Sequence, residues 1–114
     1  MKITVIVPVY NEHTTIDLIL AKVRAVNVDK EIIVVDGGSF DGTLEKLAIE
    51  ERQPDTRIIR QGAPLGRGSA LKEGIKIATG DVIIFQDADF ELDPADYAAL
   101  LKPIEEVRGD VVLV

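Results

Sequence analysis

Short runs of β-branched and aliphatic residues recur along this chain, each separated from the next by enough residues for one helix. The runs are residues 3–9 (ITVIVPV), 31–35 (EIIVV), 57–60 (RIIR), 81–85 (DVIIF) and 110–114 (DVVLV). Largely apolar runs of this kind suit strands buried on both faces, which is the situation in a parallel sheet covered by helices. The intervening segments carry helical spacing. Ile16, Ile19, Leu20 and Val23 predict a helix over about 13–26. Leu44, Leu47 and Ala48 predict a second over 41–52. Ala70, Leu71, Ile75 and Ala78 form the expected inner face of a third, over 67–78, and a fourth starts near Pro94 and carries Tyr97. Punctuation agrees with this. Ser39 or Asp41 is placed to cap the second helix, Gly80 stands where a left-handed C-cap is common, and Asp93-Pro94 is an N-cap followed by proline at the first helical position. Alternating strands and helices imply an α/β fold, a parallel sheet with helices on both faces and right-handed crossovers. At 114 residues one domain is expected.

Charge and cysteine content exclude several classes. The net charge is -7, and no basic stripe exists to neutralise a nucleic acid backbone. An acidic protein that handles an anionic nucleotide needs a metal or backbone N–H groups between them. With no cysteine, disulfides and thiolate metal sites are excluded, which fits a cytoplasmic setting. No apolar run approaches the roughly 20 residues of a membrane span. A peripheral role at a membrane stays open.

In a parallel α/β sheet, ligands bind beyond the carboxyl ends of the strands. That rule selects Pro8 to Glu12, Asp36 to Gly42, Gln61 to Gly68 and Gln86 to Asp93. Asp87 and Asp89, two residues apart at a strand end, project to one side of an extended chain. Two such carboxylates repel each other, and a divalent cation relieves the repulsion; oxygen ligands suit Mg2+ or Mn2+. Glu91 continues the alternation as a third ligand. The same acids also serve as helix caps or solvated loop residues in many chains. Asp36-Gly37-Gly38-Ser39-Phe40-Asp41-Gly42-Thr43 opens a helix, either as a plain turn or as a backbone surface for a ligand. Gly66-Arg67-Gly68 is equally a tight turn with a surface arginine or a phosphate-approaching turn at a helix start. His13, the only histidine, is expected to face solvent from a helix, and Phe40 to pack.

Taken in order, these segments resemble family 2 glycosyltransferases. The resemblance rests on Pro8-Val9-Tyr10-Asn11-Glu12, Val35 to Thr43, Gly66-Arg67-Gly68-Ser69-Ala70-Leu71 with Gly74, Ala78-Thr79-Gly80-Asp81, and Gln86-Asp87-Ala88-Asp89. Asp87-Ala88-Asp89-Phe90-Glu91 looks most like the dolichyl- or polyprenyl-phosphate sugar transferases of that family. It implies a GT-A fold, a Rossmann-like mostly parallel sheet of central order 3-2-1-4. The 110–114 strand is then left detached, paired with strand four, or paired with another chain. An unpaired edge leaves room for a homodimer. Residues 1–114 correspond to the nucleotide-sugar-binding part of such a domain, shortened at its C-terminus.

The resemblance also implies roles. Pro8, Tyr10 and Glu12 border the base and ribose, Asp36 lies beside them, and Arg67 lies near the phosphates. Asp87 contributes to both nucleotide and metal; Asp87, Asp89 and Glu91 hold Mg2+ or Mn2+, with Asp89 as the catalytic member. The implied reaction is inverting transfer from a UDP- or GDP-linked sugar to an acceptor such as a polyprenyl phosphate, with no nucleic acid involved. Two positions depart from the pattern: the family often has a second aspartate after strand two that reads the base, and here it is Gly37, and Phe40 replaces the small polar residue usual there. A noncatalytic fragment with a vestigial nucleotide-sugar core is the competing expectation. A phosphoacceptor receiver using Asp36 and Asp87 lacks the lysine it needs at the end of a fifth strand. A sugar nucleotidyltransferase needs its glycine-arginine loop after strand one, where Pro8-Val9-Tyr10 stands.

Overall fold

The computed structural model of the chain describes residues 2–88, 93–97, 99 and 112–113. Strands β1 (Lys2–Val9), β2 (Asp29–Asp36), β3 (Thr56–Arg60), β4 (Val82–Phe85) and β5 (Val112–Leu113) form one sheet of order β3-β2-β1-β4-β5. Every neighbouring pair is parallel. The central order 3-2-1-4 is therefore as expected, and β5 takes one of the three fates anticipated for it, pairing with β4 through Val82–Val112 and Ile83–Leu113.

Helices α1 (Ile16–Ala25) and α2 (Thr43–Glu50) cover one face, and α3 (Arg67–Ile77) covers the other. The division follows from the two-residue period of a strand. Ile3, Val5, Val7 and Val9 of β1 pack with Ile16, Ile19, Leu20, Val23 and Leu47, whereas Ile6 packs with Ile33, Val35, Ile83 and Ala70. Pro8 sits in the central strand without breaking it. The Ile6 carbonyl faces β4, where it accepts from the Gln86 amide at 2.9 Å, and Pro8, two residues on, faces the same way. Pairing with β4 ends at Ile6–Phe85, so the N–H that proline lacks had no partner to lose.

Several local expectations need correction. Helix α1 begins at Ile16 because Asn11 takes a positive φ of 52° and residues 13–15 form a turn, in which Glu12 O accepts from the Thr15 and Ile16 amides. The buried line of α2 runs through Thr43 and Leu47, which leaves Ala48 exposed. In α3 the inner line is Ala70 and Gly74, and Ile75 is 43% exposed. Small residues let α3 lie close on β1: a Cβ on Gly74 would stand 2.8 Å from Ile6 Cδ1. Gly80 is not a left-handed cap. The chain leaves α3 through Ala78 in an extended conformation, and Gly80 is needed because a Cβ there would stand 2.6 Å from the Thr4 amide nitrogen. Asp93 does cap a short 3-10 turn at Pro94–Asp96, its Oδ1 accepting from the Ala95 amide at 3.0 Å.

Candidate functional site

Strand order reverses between β1 and β4, and there the chain opens a cleft of about 270 Å3 at the carboxyl ends of the strands. This is the switch point at which α/β sheets bind ligands. One wall is Pro8, Val9, Tyr10 and Glu12 after β1. A second is Gln61, Pro64 and Leu65 after β3, running into Gly66 and Arg67 at the start of α3. Asp87 and Ala88 after β4 close it, with Gly37 behind.

Each wall is held by specific hydrogen bonds. Asp36 is buried at 1% exposure; its Oδ2 accepts from the Gly38 amide at 2.9 Å and the Ser39 amide at 3.1 Å, and its Oδ1 accepts from Ser39 Oγ at 2.5 Å. Ser39 Oγ in turn accepts from the Asn11 amide, and Asn11 Oδ1 accepts from the Phe40 amide, both at 2.9 Å. The loops after β1 and β2 are thus one unit. The β3 loop stacks on it: Gly38, at φ 91°, has room for no Cβ, which would stand 2.9 Å from the Gly62 carbonyl. A Cβ on Gly37 would point at the Pro64 backbone (Cα, 3.3 Å) and the Tyr10 ring (Cδ1, 3.6 Å), so glycine keeps a slot open between those two residues.

Asp41 ties the same loops from outside the cleft. Its Oδ1 accepts from the Thr43 amide and hydroxyl, and its Oδ2 accepts from the His13 amide and meets His13 Nδ1 at 2.9 Å. Partial burial pushes its pKa up, but these hydrogen bonds outweigh that and hold the carboxyl well below the usual range. His13 is solvent-exposed as expected, but it lies in the turn ahead of α1 rather than on the helix, and it engages Asp41. Phe40 does not pack as expected. It is 80% exposed, and its contact is edge-on with Tyr10, ring centroids 6.2 Å apart.

Behind β4 the support is polar and buried. Tyr97 O–H donates to Gln86 Oε1 at 2.6 Å, and Gln86 Nε2 donates to the Asp87 carbonyl at 3.1 Å. Both side chains are fully buried, and burial pushes the Tyr97 phenol well above its ordinary range, so it stays protonated as the donor. Sequence reasoning missed this brace; a glutamine closing an all-apolar strand was the available signal. In the cleft itself, Arg67 Nη2 donates to Asp87 Oδ2 at 2.9 Å while its Cζ lies 4.9 Å from the centre of the Phe85 ring. Gln61 Nε2 donates to Ser69 Oγ at 3.0 Å and fixes the approach to α3.

Of the residues singled out from sequence, Pro8, Tyr10, Glu12, Arg67 and Asp87 converge on the cleft. Asp36 lies behind it, engaged with the loop. Asp89 and Glu91 lie outside the described residues. Among the described residues no group of three or more histidine or acidic side chains is arranged to hold a metal. A second cavity, of about 300 Å3, lies at the opposite, amino end of β2, beside Arg24, Asp29, Lys30 and Asp55. Its charges balance, and Lys30 Nζ donates to the Val26 and Val28 carbonyls.

Residues 4–114 match the profile of Glycosyl transferase family 2. An undecaprenyl-phosphate 4-deoxy-4-formamido-L-arabinose transferase of Photorhabdus laumondii is 33% identical over 111 residues, covering 92% of this chain and 34% of that protein. Among solved structures, a mannosyltransferase of Pyrobaculum calidifontis in complex with GDP-Man and Mn2+ superposes with a TM-score of 0.73 at 30% identity, covering 85% of this chain and 30% of that one. The S. aureus protein TarS 1-349 in complex with UDP superposes with a TM-score of 0.74 at 26% identity, over 90% of this chain and 32% of that one. The chain spans about a third of the length of the relatives it matches. With a sheet of order 3-2-1-4, a cleft at its switch point and a profile match over nearly every residue, this chain belongs to glycosyl transferase family 2.

Proposed function

We propose that this chain is the donor-binding part of an inverting glycosyltransferase that takes a sugar from a UDP- or GDP-linked donor and passes it to a polyprenyl phosphate. The observation that carries the reading is the cleft between β1 and β4, which has an aromatic and glycine slot at one end and Arg67 with Asp87 at the other. The slot between Tyr10, Gly37 and Pro64 suits a flat base, and Glu12 lies on the same wall, within the region a ribose would take. Arg67 suits the diphosphate, because a guanidinium matches phosphate oxygens geometrically. Relatives whose names specify a GDP-sugar, UDP and a polyprenyl phosphate support the donor and acceptor classes.

The donor chemistry fits a hard divalent ion. Asp87 offers carboxylate oxygen at the cleft, and Asp89 and Glu91 follow it in sequence, so these residues would hold Mg2+ or Mn2+. When bound, such an ion neutralises charge developing on the leaving diphosphate. The catalytic assignment to Asp89 belongs to this reading. Asp36 contributes to the base and ribose region through the loop it holds. A phosphate acceptor is already an anion and needs little help from a general base. No helix among the described residues is long and apolar enough to cross a membrane. Peripheral association with a membrane belongs to the same reading.

Calorimetry with UDP, GDP and their sugars in the presence of Mn2+ tests the reading. Binding is expected for the wild-type chain, and Asp87→Ala is expected to weaken it by more than about tenfold, since even outer-shell changes at metal sites cost that much. The same feeble heats from both proteins would remove the donor site.

A further inference from the structure

Asp87, which brings a carboxylate to the cleft, is held from behind by two fully buried polar side chains in an otherwise apolar part of the core. Resting on the reading above, we propose that Gln86 and Tyr97 are positioning residues: their hydrogen-bonded pair sets the direction in which Asp87 projects toward the nucleoside diphosphate, and stability is not its task.

Asp87 lies just past the end of the β1–β4 ladder. The Gln86 amide donates to the Ile6 carbonyl at 2.9 Å, and the next β1 residue facing β4 is Pro8, which has no N–H to give. A side chain takes over where the ladder stops. Gln86 Nε2 donates to the Asp87 carbonyl at 3.1 Å. The peptide unit is planar, so a held carbonyl fixes the 87–88 plane and, with it, the ψ angle that relates this plane to the Asp87 side chain. The Gln86 amide is oriented in turn by Tyr97, whose O–H donates to Oε1 at 2.6 Å. Tyr97 is anchored: its ring is fully buried in the cluster that holds Ile16, Leu20 and Val5, and the Pro94–Asp96 turn leading into it packs on α1. Position is thus passed from the core to the phenol, to the amide, and to the Asp87 backbone.

Energetics argue against a purely stabilising role. A satisfied buried polar pair contributes little more than apolar side chains of the same shape, whereas stripping one partner leaves the other to bear its full desolvation cost. Methionine and phenylalanine in these two places would fill the same space, but neither could hold a carbonyl. What glutamine and tyrosine add is direction. They add it at the residue whose Oδ2 meets Arg67 Nη2 at 2.9 Å on the cleft wall. A site whose supporting residues are fixed keeps its geometry when a ligand arrives, and one that is loose by an ångström does not.

Separating stability from binding tests this. The test uses the 114-residue chain, Tyr97→Phe, and a double variant that combines Tyr97→Phe with Gln86→Met. Tyr97→Phe orphans Gln86 Oε1 in the core, so its melting temperature should fall by roughly 5–10 °C. The double variant removes both buried polar side chains together and should melt within about 3 °C of the wild type. UDP and GDP are titrated by NMR with Mg2+ present, at a temperature where all three chains are folded. Both variants should bind about five- to tenfold more weakly than the wild type, a modest share of the hundredfold that a 1 Å misplacement can cost. The amide resonance of Ala88, which shares the held peptide plane, should shift in both variants before nucleotide is added. A double variant that melts and binds like the wild type makes the pair core filling and overturns the proposal, with the donor site left in place. A double variant as unstable as the single one overturns it too, since stability would then be the pair's task. A wild-type chain that binds neither nucleotide overturns the donor reading and the proposal with it.

Discussion

Asp36 shows how a residue legible in the sequence can carry a structural task that the sequence does not display. Its position after β2 marks it as a cleft carboxylate, and the fold does deliver the β2 loop to the cleft. The side chain turns back into the loop, where two amides and a hydroxyl take both oxygens. Nothing in the sequence distinguishes the two orientations, because the deciding partner, Asn11, comes from a loop 25 residues upstream and acts through its backbone as much as its side chain. Removing the carboxylate leaves the Gly38 and Ser39 amides and the Ser39 hydroxyl without acceptors in a buried place. Asp36→Ala should therefore lower stability by about 2–3 kcal/mol, the usual range for orphaned buried donors. Urea unfolding would measure it, and a loss below about 0.5 kcal/mol, the scale of ordinary surface changes, would mean the loop does not depend on Asp36. Arg67 and Asp87 were the opposite case. Their place at strand and helix ends was legible, and their mutual contact was not, since it spans 20 positions and depends on how α3 sits on β4.

Between elements, the amino end of the sheet is joined by a single buried carboxylate. Glu31 on β2 is 4% exposed, and its oxygens accept from Thr4 Oγ1 of β1 at 2.6 Å, from the Thr79 amide and hydroxyl just ahead of β4, and from Arg57 of β3 at 2.8 Å. Thr4 Oγ1 also accepts from the Gly80 amide at 2.9 Å, at the place where glycine permits the approach. In the sequence, Glu31 is merely the polar start of an apolar run. The helices were legible because burial at 3.6-residue spacing is local; Ile75 was misplaced because close packing of α3 through Ala70 and Gly74 rewards small size, which hydrophobic periodicity does not register, and Ala48 because α2 buries only the line of Thr43 and Leu47. Desolvation alone would raise the Glu31 pKa. The hydrogen bonds from Thr4, Thr79 and Arg57 outweigh it and lower the value from 4.5 to about 2. A carboxyl depressed in the folded state stabilises fully above its unfolded pKa, and that contribution disappears as pH falls toward the folded value. The window is about pH 4.5 down to 2. Glu31→Gln should lower stability at neutral pH by about 2 kcal/mol and flatten its fall across that window, as seen by urea unfolding at stepped pH. A variant whose stability falls in parallel with the wild type would show that acid sensitivity originates elsewhere.

For the whole molecule, sheet order was within reach of sequence because it depends on few facts: short crossovers, parallel strands, and a family likeness carried by loops in a fixed order. What β5 pairs with was not, since a two-residue ladder is decided by whichever edge is free. The same architecture makes ligand binding a property of the whole fold. The cleft draws residues from the ends of β1, β2, β3 and β4 and the start of α3, so a ligand that spans it can bind only when all of them are in register. Binding to the folded chain alone stabilises it by an amount set by ligand concentration over Kd, about 2.7 kcal/mol at a hundredfold excess. For a domain of this size each kcal/mol corresponds to roughly 4 °C, so UDP or GDP with Mn2+ should raise the melting temperature by about 10 °C. Mn2+ without nucleotide should give a much smaller rise, because such ions rely on substrate phosphates for part of their oxygen shell and Asp87 is already ion-paired with Arg67. Differential scanning fluorimetry would separate these cases. If Mn2+ alone produces the full shift, the ion is binding without help from the diphosphate, and the nucleotide is not what closes the cleft.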